Sequence, residues 1–127
     1  MLIIFTSEVL HMRIGEICLN TNDVVRLANF YKQLLETDNH SNDQTHQLLI
    51  SEEPQFSIYN DGSHKNNSNQ NISLAFTVDN IDAKYQKLLA LGVDIIEKPV
   101  KRPWGTVNMS FYDPDRNIVY LRSFTDK

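Results

Sequence analysis

The sequence predicts an α+β fold built from a strand–helix–strands unit that occurs twice, and three observations carry that reading. The first is a hairpin near the end of the chain. Val107, Met109 and Phe111 alternate with Asn108, Ser110 and Tyr112, the period of a half-buried strand. Asp113-Pro114-Asp115 then supplies turn chemistry, and residues 118–124 form a second β-branched and aromatic run. The second observation is a pair of amphipathic helical stripes, each directly after a strand. The third is their register. A shift of 57 positions (73 minus 16) lays Ile17, Cys18 and Leu19 on Leu74, Ala75 and Phe76. The same shift lays Asp23, Val24, Tyr31 and Leu34 on Asn80, Ile81, Leu88 and Leu91. Few residues are identical, but apolar positions stay on apolar positions from strand through helix, which marks an internal repeat.

Size and charge bound the rest. The chain has 127 residues, 41% of them hydrophobic, which suits one domain with a sizeable interior. The net charge of −4 argues against nucleic acid or an anionic membrane as partner, since both call for a basic patch. The single cysteine, Cys18, rules out an intrachain disulfide and points to a reducing, cytoplasmic setting. Inside an apolar strand it is expected to be a small buried hydrophobe.

Residues 1–11 open on an apolar run, Met1 to Phe5, with no basic residue before it and no small-residue cleavage site after it. The run is too short to span a bilayer, so neither a signal peptide nor a transmembrane helix is expected. The segment reads as an extra strand, an arm or a tail ahead of Met12. Residues 13–20 form the first strand. Asn22 or Asp23 caps a helix over residues 22–36, with Val24, Ala28, Tyr31 and Leu35 as its stripe. Residues 38–47 are polar and aperiodic: a loop, with room for a weak edge strand. Residues 48–50 and 56–59 are two short strands around Glu52-Glu53-Pro54, and the Asn- and Ser-rich stretch that follows is a surface linker. The plan then restarts. Residues 72–78 form a strand, Asp79 or Asn80 a cap, and Ile81, Tyr85, Leu88 and Leu89 the stripe of a helix over residues 80–91. Gly92 ends that helix where a left-handed residue is wanted. Residues 93–96 form a strand, residues 99–103 break it, and the hairpin completes the chain. The domain is thus divided into units 12–60 and 71–124, joined by a linker over 61–70.

Four segments carry a family resemblance. These are residues 14–19 with Asp23, Phe30 and Tyr31; residues 74–81; Pro103-Trp104-Gly105; and Asp113-Pro114-Asp115-Arg116-Asn117. Together the chain resembles the vicinal oxygen chelate superfamily, which includes glyoxalase I, extradiol dioxygenases and the bleomycin and fosfomycin resistance proteins. The likeness covers roughly residues 12–124, and the closing Trp-Gly and Asp-Pro-Asp-x-Asn pattern is its most specific part. It implies two βαβββ modules whose sheets curl around a cavity, often completed by dimerisation. Glycine is common in the family where Arg116 stands, because that turn position can need positive φ. Arg116 then either takes another turn type or is strained at a cost of about 1 kcal/mol.

The resemblance also implies where a metal would sit. The ligand positions, usually His, Glu or Gln, fall on Glu16, on or near Ser57, on Ser73 and on Tyr120. Two serines and a tyrosine offer neutral hydroxyls, whereas a transition metal wants three or four imidazole, carboxylate or thiolate ligands. His11, His40 and His64 fall outside these positions, and His46, at the start of a strand, reads as a satisfied surface histidine. The expectation is therefore no metal and no cofactor.

Strand alternation places Glu16, Cys18 and Asn20 on one face. It does the same for Ser57 with Tyr59, for Ser73 with Ala75 and Thr77, and for Ile118 with Tyr120 and Arg122. Apolar walls with a few polar atoms suit a small organic ligand. The expected binding residues are Glu16, Cys18, Ser57, Tyr59, Ser73, Ala75, Trp104, Tyr120 and Arg122. Glu16 has two readings, a general base or cation anchor in the cavity, or a charge paired with Arg122. Trp104 has two as well, stacking on a flat ligand or packing at the rim. The sequence favours a metal-free small-molecule-binding homodimer that sequesters a drug or metabolite. The alternative is a metal-dependent lyase or dioxygenase using Glu16.

Overall fold

The computed structural model describes residues 11–66 and 71–125. Most of the expected N-terminal segment and part of the expected linker lie outside the described residues. In chain order the elements are β1 (Glu16–Asn20), α1 (Val24–Leu35), β2 (His46–Ile50), β3 (Gln55–Tyr59), β4 (Ser73–Thr77), α2 (Ile81–Ala90), β5 (Asp94–Lys101), β6 (Thr106–Tyr112) and β7 (Ile118–Phe124). They form a three-stranded sheet of order β1-β3-β2 and a four-stranded sheet of order β4-β7-β6-β5. The sheets share no strand and do not close on one another. In each, the strand ahead of the helix runs parallel to the last strand of its unit, β1 on β3 and β4 on β7. Ser73 minus Glu16 and Ile81 minus Val24 both give 57, so strands and helices start at the offset read from the sequence.

The first unit has one strand fewer than the second. Residues 37–43 carry no strand, because this polar stretch closes on itself instead of pairing with a neighbour. Asn39 Oδ1 accepts from the Ser41 backbone, and Asp43 Oδ1 accepts from the Thr45 and His46 backbones. Such side-chain turns compete with a sheet ladder for the same groups.

Both helices begin at the expected caps. Asp23 accepts from the Arg26 amide at 3.1 Å and Asn80 from the Ala83 amide at 3.0 Å, each satisfying a donor of the first turn. Helix α1 buries Val24, Leu27, Ala28, Tyr31 and Leu34 against β2 and β3, each large side chain contributing about 1.5–3 kcal/mol. It ends at Glu36, a non-glycine residue at φ 57°. Helix α2 buries Ile81 and Leu88, whereas Leu89, expected in its stripe, is 45% exposed. Gly92 follows at φ 76°, the left-handed position expected of it.

Strand β5 corrects the expected break at residue 99. It continues through Pro99 to Lys101. Pro99 is tolerated because β5 is an edge strand and its register on β6 slips between Glu97 and Val100. The chain breaks only at residues 102–105, where Gly105 has φ 97°.

One apolar core runs through both units. Its seam is aromatic: the Phe56 ring of β3 meets the Phe76 ring of β4 at 5.9 Å, and Tyr31 packs edge-on to Phe56 at 5.1 Å. Helix α1 is also fastened to the β6–β7 turn, through Tyr31 to Asp113 and Arg26 to Asp115. Each sheet therefore has a helix-facing side inside the core and a polar side outside it. Among the described residues no helix is long and apolar enough to cross a membrane.

Candidate functional site

The polar faces follow from register. In the first sheet, Cys18, Ser57 and Leu48 are neighbours across three strands, with Asn20, Tyr59 and His46 in the next row. In the second sheet, Ala75, Tyr120 and Ser110 form one row, and Thr77, Arg122 and Asn108 form the next. Eight of the nine expected binding residues fall on these two faces, as alternation required. Trp104 lies in the loop between β5 and β6, beside the second face.

Two hollows open there. One, of about 530 Å³, is lined by Glu16, Cys18, Asn20 and Ser73, with Lys65 and Ile118 at its margins. The other, of about 360 Å³, is lined by Ala75, Trp104, Asn108, Tyr120 and Arg122, with Arg102. Strand β4 contributes Ser73 to the first and Ala75 to the second. Ser57 is fully buried and Tyr59 partly exposed on the first sheet, and neither lines either hollow.

Glu16 resolves one expectation against the sequence. Its Oε2 accepts from the Ser57 hydroxyl at 2.6 Å, and it forms no pair with Arg122. The reason is topological. Glu16 and Arg122 belong to separate sheets, whereas Ser57 lies diagonally across the β1–β3 ladder from Glu16. Arg122 instead donates from Nε to Thr77 Oγ1 at 3.0 Å, and its guanidinium lies 5.1 Å from the Phe124 ring centre. Cys18 is a second correction. It is exposed, because it points to the polar side of an edge strand and not toward α1.

The four positions that would correspond to metal ligands do not make a metal centre. Ser57 is spent on Glu16, Ser73 shares the hollow of Glu16, and Tyr120 lines the other hollow. Among the described residues no three His, Cys, Asp or Glu side chains are grouped to hold an ion. One carboxylate and three hydroxyls do not fit a divalent transition metal. His46 stacks edge-on to Tyr59 at 5.9 Å, away from both hollows.

The Asp113-Pro114-Asp115-Arg116-Asn117 turn, whose Asp115 and Asn117 line the first hollow, is held by hydrogen bonds. Buried Asp113 accepts four hydrogen bonds, from Tyr31 Oη, Asn117 Nδ2 and the amides of Asp115 and Asn117. Burial, with the neighbouring Asp113 and then Asp115 carboxylates, raises the Tyr31 phenol well above its ordinary value. Arg116 sits at φ 67°, so it adopts the left-handed geometry and carries the strain. Its guanidinium lies 3.8 Å over the Tyr112 ring and reaches Asp94 at 2.6 Å.

Arg102, Asn108 and Thr106 belong to the second hollow but were absent from the expected set. Asn108 was recoverable, since alternation already put it on the polar side of its strand. Arg102 was not, because it follows an irregular stretch whose direction no period reports.

The family model described as the glyoxalase/bleomycin resistance protein/dioxygenase superfamily matches residues 13–121. No curated protein matches the sequence. Three solved structures illustrate the shared fold. A glyoxalase/bleomycin resistance protein/dioxygenase from Nocardioides is 20% identical, with a TM-score of 0.72, covering 96% of this chain and 91% of that one. A protein of unknown function from Agrobacterium tumefaciens is 22% identical, with a TM-score of 0.73 over 90% of this chain and 95% of that one. A lactoylglutathione lyase from the same organism is 15% identical, with a TM-score of 0.67 over 87% and 92%. Identities this low establish the architecture and not the activity.

Proposed function

We propose that this chain, which belongs to the glyoxalase/bleomycin resistance protein/dioxygenase superfamily, is a metal-independent binding protein for a small organic molecule. The observation that carries the reading is the donor set at the superfamily's ligand positions. Glu16 is its one carboxylate, and that carboxylate is already hydrogen-bonded to Ser57. Hollows lined by apolar side chains together with a few polar groups are the usual form of a small-molecule site. Sequestration of a drug or metabolite needs no more than such a site.

We further propose that it acts as a homodimer. Ile17, Leu48 and Tyr59 leave apolar surface exposed on the first sheet. Both sheets have open edges, which association covers. Light scattering at micromolar concentration should give twice the chain mass, and a monomer mass would count against the dimer.

Titration calorimetry with Ni²⁺, Zn²⁺, Mn²⁺ and Fe²⁺ tests the metal-independent reading. No stoichiometric micromolar binding is expected. Such binding by any of the four would favour a metal-dependent lyase or dioxygenase instead. A thermal-shift screen of metal-free protein should find organic ligands that raise the melting temperature.

A further inference from the structure

We infer that the hollow on the second sheet selects a flat aromatic ligand bearing an anionic group, a carboxylate or its equivalent. This rests on the small-molecule reading above and specifies its ligand class. The lining is one-sided in charge and in hydrogen bonding. Among the described residues two guanidiniums, Arg102 and Arg122, border the hollow and no carboxylate does, in a chain whose net charge is −4. Arg102 is paired with Glu97. Arg122 is exposed, and among the described residues it forms no ion pair. Its one hydrogen bond there, from Nε to Thr77, leaves both terminal amino groups of the fork free. The Thr106 hydroxyl donates to Asn108 Oδ1 at 2.6 Å, so the acceptor of that amide is used and its N–H₂ donors are left over. Arg122 and Asn108 are direct partners in the β6–β7 ladder. Their spare donors therefore rise side by side from one row of the sheet.

Beside this row stands Trp104, 69% exposed in the loop that Gly105 turns. An exposed indole next to a cationic row offers a stacking plane for the ring, while the row holds the charge. The Tyr120 hydroxyl, one row along on β7, is a further donor within the same hollow.

Trp104 is the sole tryptophan, so its emission reports this hollow alone. The probes are 2-naphthoate, neutral 2-naphthamide and the cation 2-naphthylmethylammonium, which share one ring. The carboxylate should quench Trp104 and bind at least about tenfold more tightly than the amide, as a charge-assisted bond to a guanidinium requires. Arg122→Gln should remove that preference, and Arg122→Lys should restore part of it. Trp104→Leu, followed by calorimetry, should weaken all three probes. Equal binding of carboxylate and amide, preference for the ammonium, or an unchanged preference in Arg122→Gln would overturn the anion assignment while leaving a small-molecule site in place. Absence of quenching by every probe, with ligands still found in the thermal-shift screen, would overturn this hollow as the site and leave the broader reading standing.

Discussion

Tyr31 of α1 donates its phenolic hydrogen to Asp113 Oδ2 at 2.6 Å, both side chains buried, and so ties the first helix to the closing turn of the second unit. Tyr31→Phe keeps the ring in its aromatic cluster and leaves Asp113 with three donors. It should cost about 1.5–3 kcal/mol, the loss of one hydrogen bond to a buried charged group, read as a lower denaturant midpoint at unchanged slope. The pH dependence follows from the raised phenol. The folded chain holds this proton to higher pH than the unfolded chain does. Stability is therefore full below about pH 10, the ordinary tyrosine value, and falls as pH rises beyond it. Tyr31→Phe should flatten that alkaline decline; a decline of equal steepness in the variant would refute the assignment.

Arg116 allows the strain of the turn to be measured. Arg116→Ala loses the Asp94 pair and the Tyr112 contact but keeps the left-handed geometry. Arg116→Gly loses the same contacts and relieves the backbone. The glycine variant should be about 1 kcal/mol more stable than the alanine variant. An alanine variant as stable as the glycine variant would show that the turn relaxes without cost.

Glu36 bridges the two helices through Lys84 and Lys87, at 2.8 Å and 3.0 Å. Hydrogen bonds and charge from Lys84 and then Lys87 lower its carboxyl to about 2. A lowered value in the folded state gives stability that is present above the unfolded carboxyl's pKa and lost as pH falls from there toward about 2. Because the group is exposed, the effect should be small and should shrink in high salt. In Glu36→Gln the acid-side decline between those limits should be shallower, and an identical profile would exclude Glu36 as its source.

Glu16 and Tyr120 front the two hollows, and paired substitutions divide their roles. For a ligand recovered from the thermal-shift screen that donates a hydrogen bond into the first hollow, Glu16→Gln should weaken binding by about 1.5–3 kcal/mol. For a ligand of the second hollow, Tyr120→Phe should cost less than that, since only a neutral hydroxyl is lost. Calorimetry on both variants, with unchanged melting of the free proteins, checks this. Unaltered affinity in Glu16→Gln would remove Glu16 from the site.

Much of this architecture is local and therefore legible in the sequence. The pairs Asn22-Asp23 and Asp79-Asn80 announce their helices because a cap needs only the three residues that follow it, and the structure uses the second of each pair. The alternation in residues 107–112 fixes which side chains share a face, since successive strand residues point to opposite sides. The offset of 57 survives because each unit must bury the same apolar register. The ligand positions were open to judgement for the same reason: hydroxyls are poor metal donors wherever they stand.

What the tertiary structure decided are the relations between units. Glu16 meets Ser57 and not Arg122 because strand pairing, invisible to periodicity, puts β1 beside β3 and leaves β7 in the other sheet. Cys18 is exposed because β1 is an edge strand, and an apolar neighbourhood in sequence does not say which side is covered. The first unit lacks a fourth strand because Asn39 and Asp43 satisfy the backbone locally. The division of the expected site into two hollows along β4 depends on how two open sheets meet. Tyr31, Phe56 and Phe76 pack together in the core shared by the two units, and such long-range contacts decide geometry that no local pattern encodes.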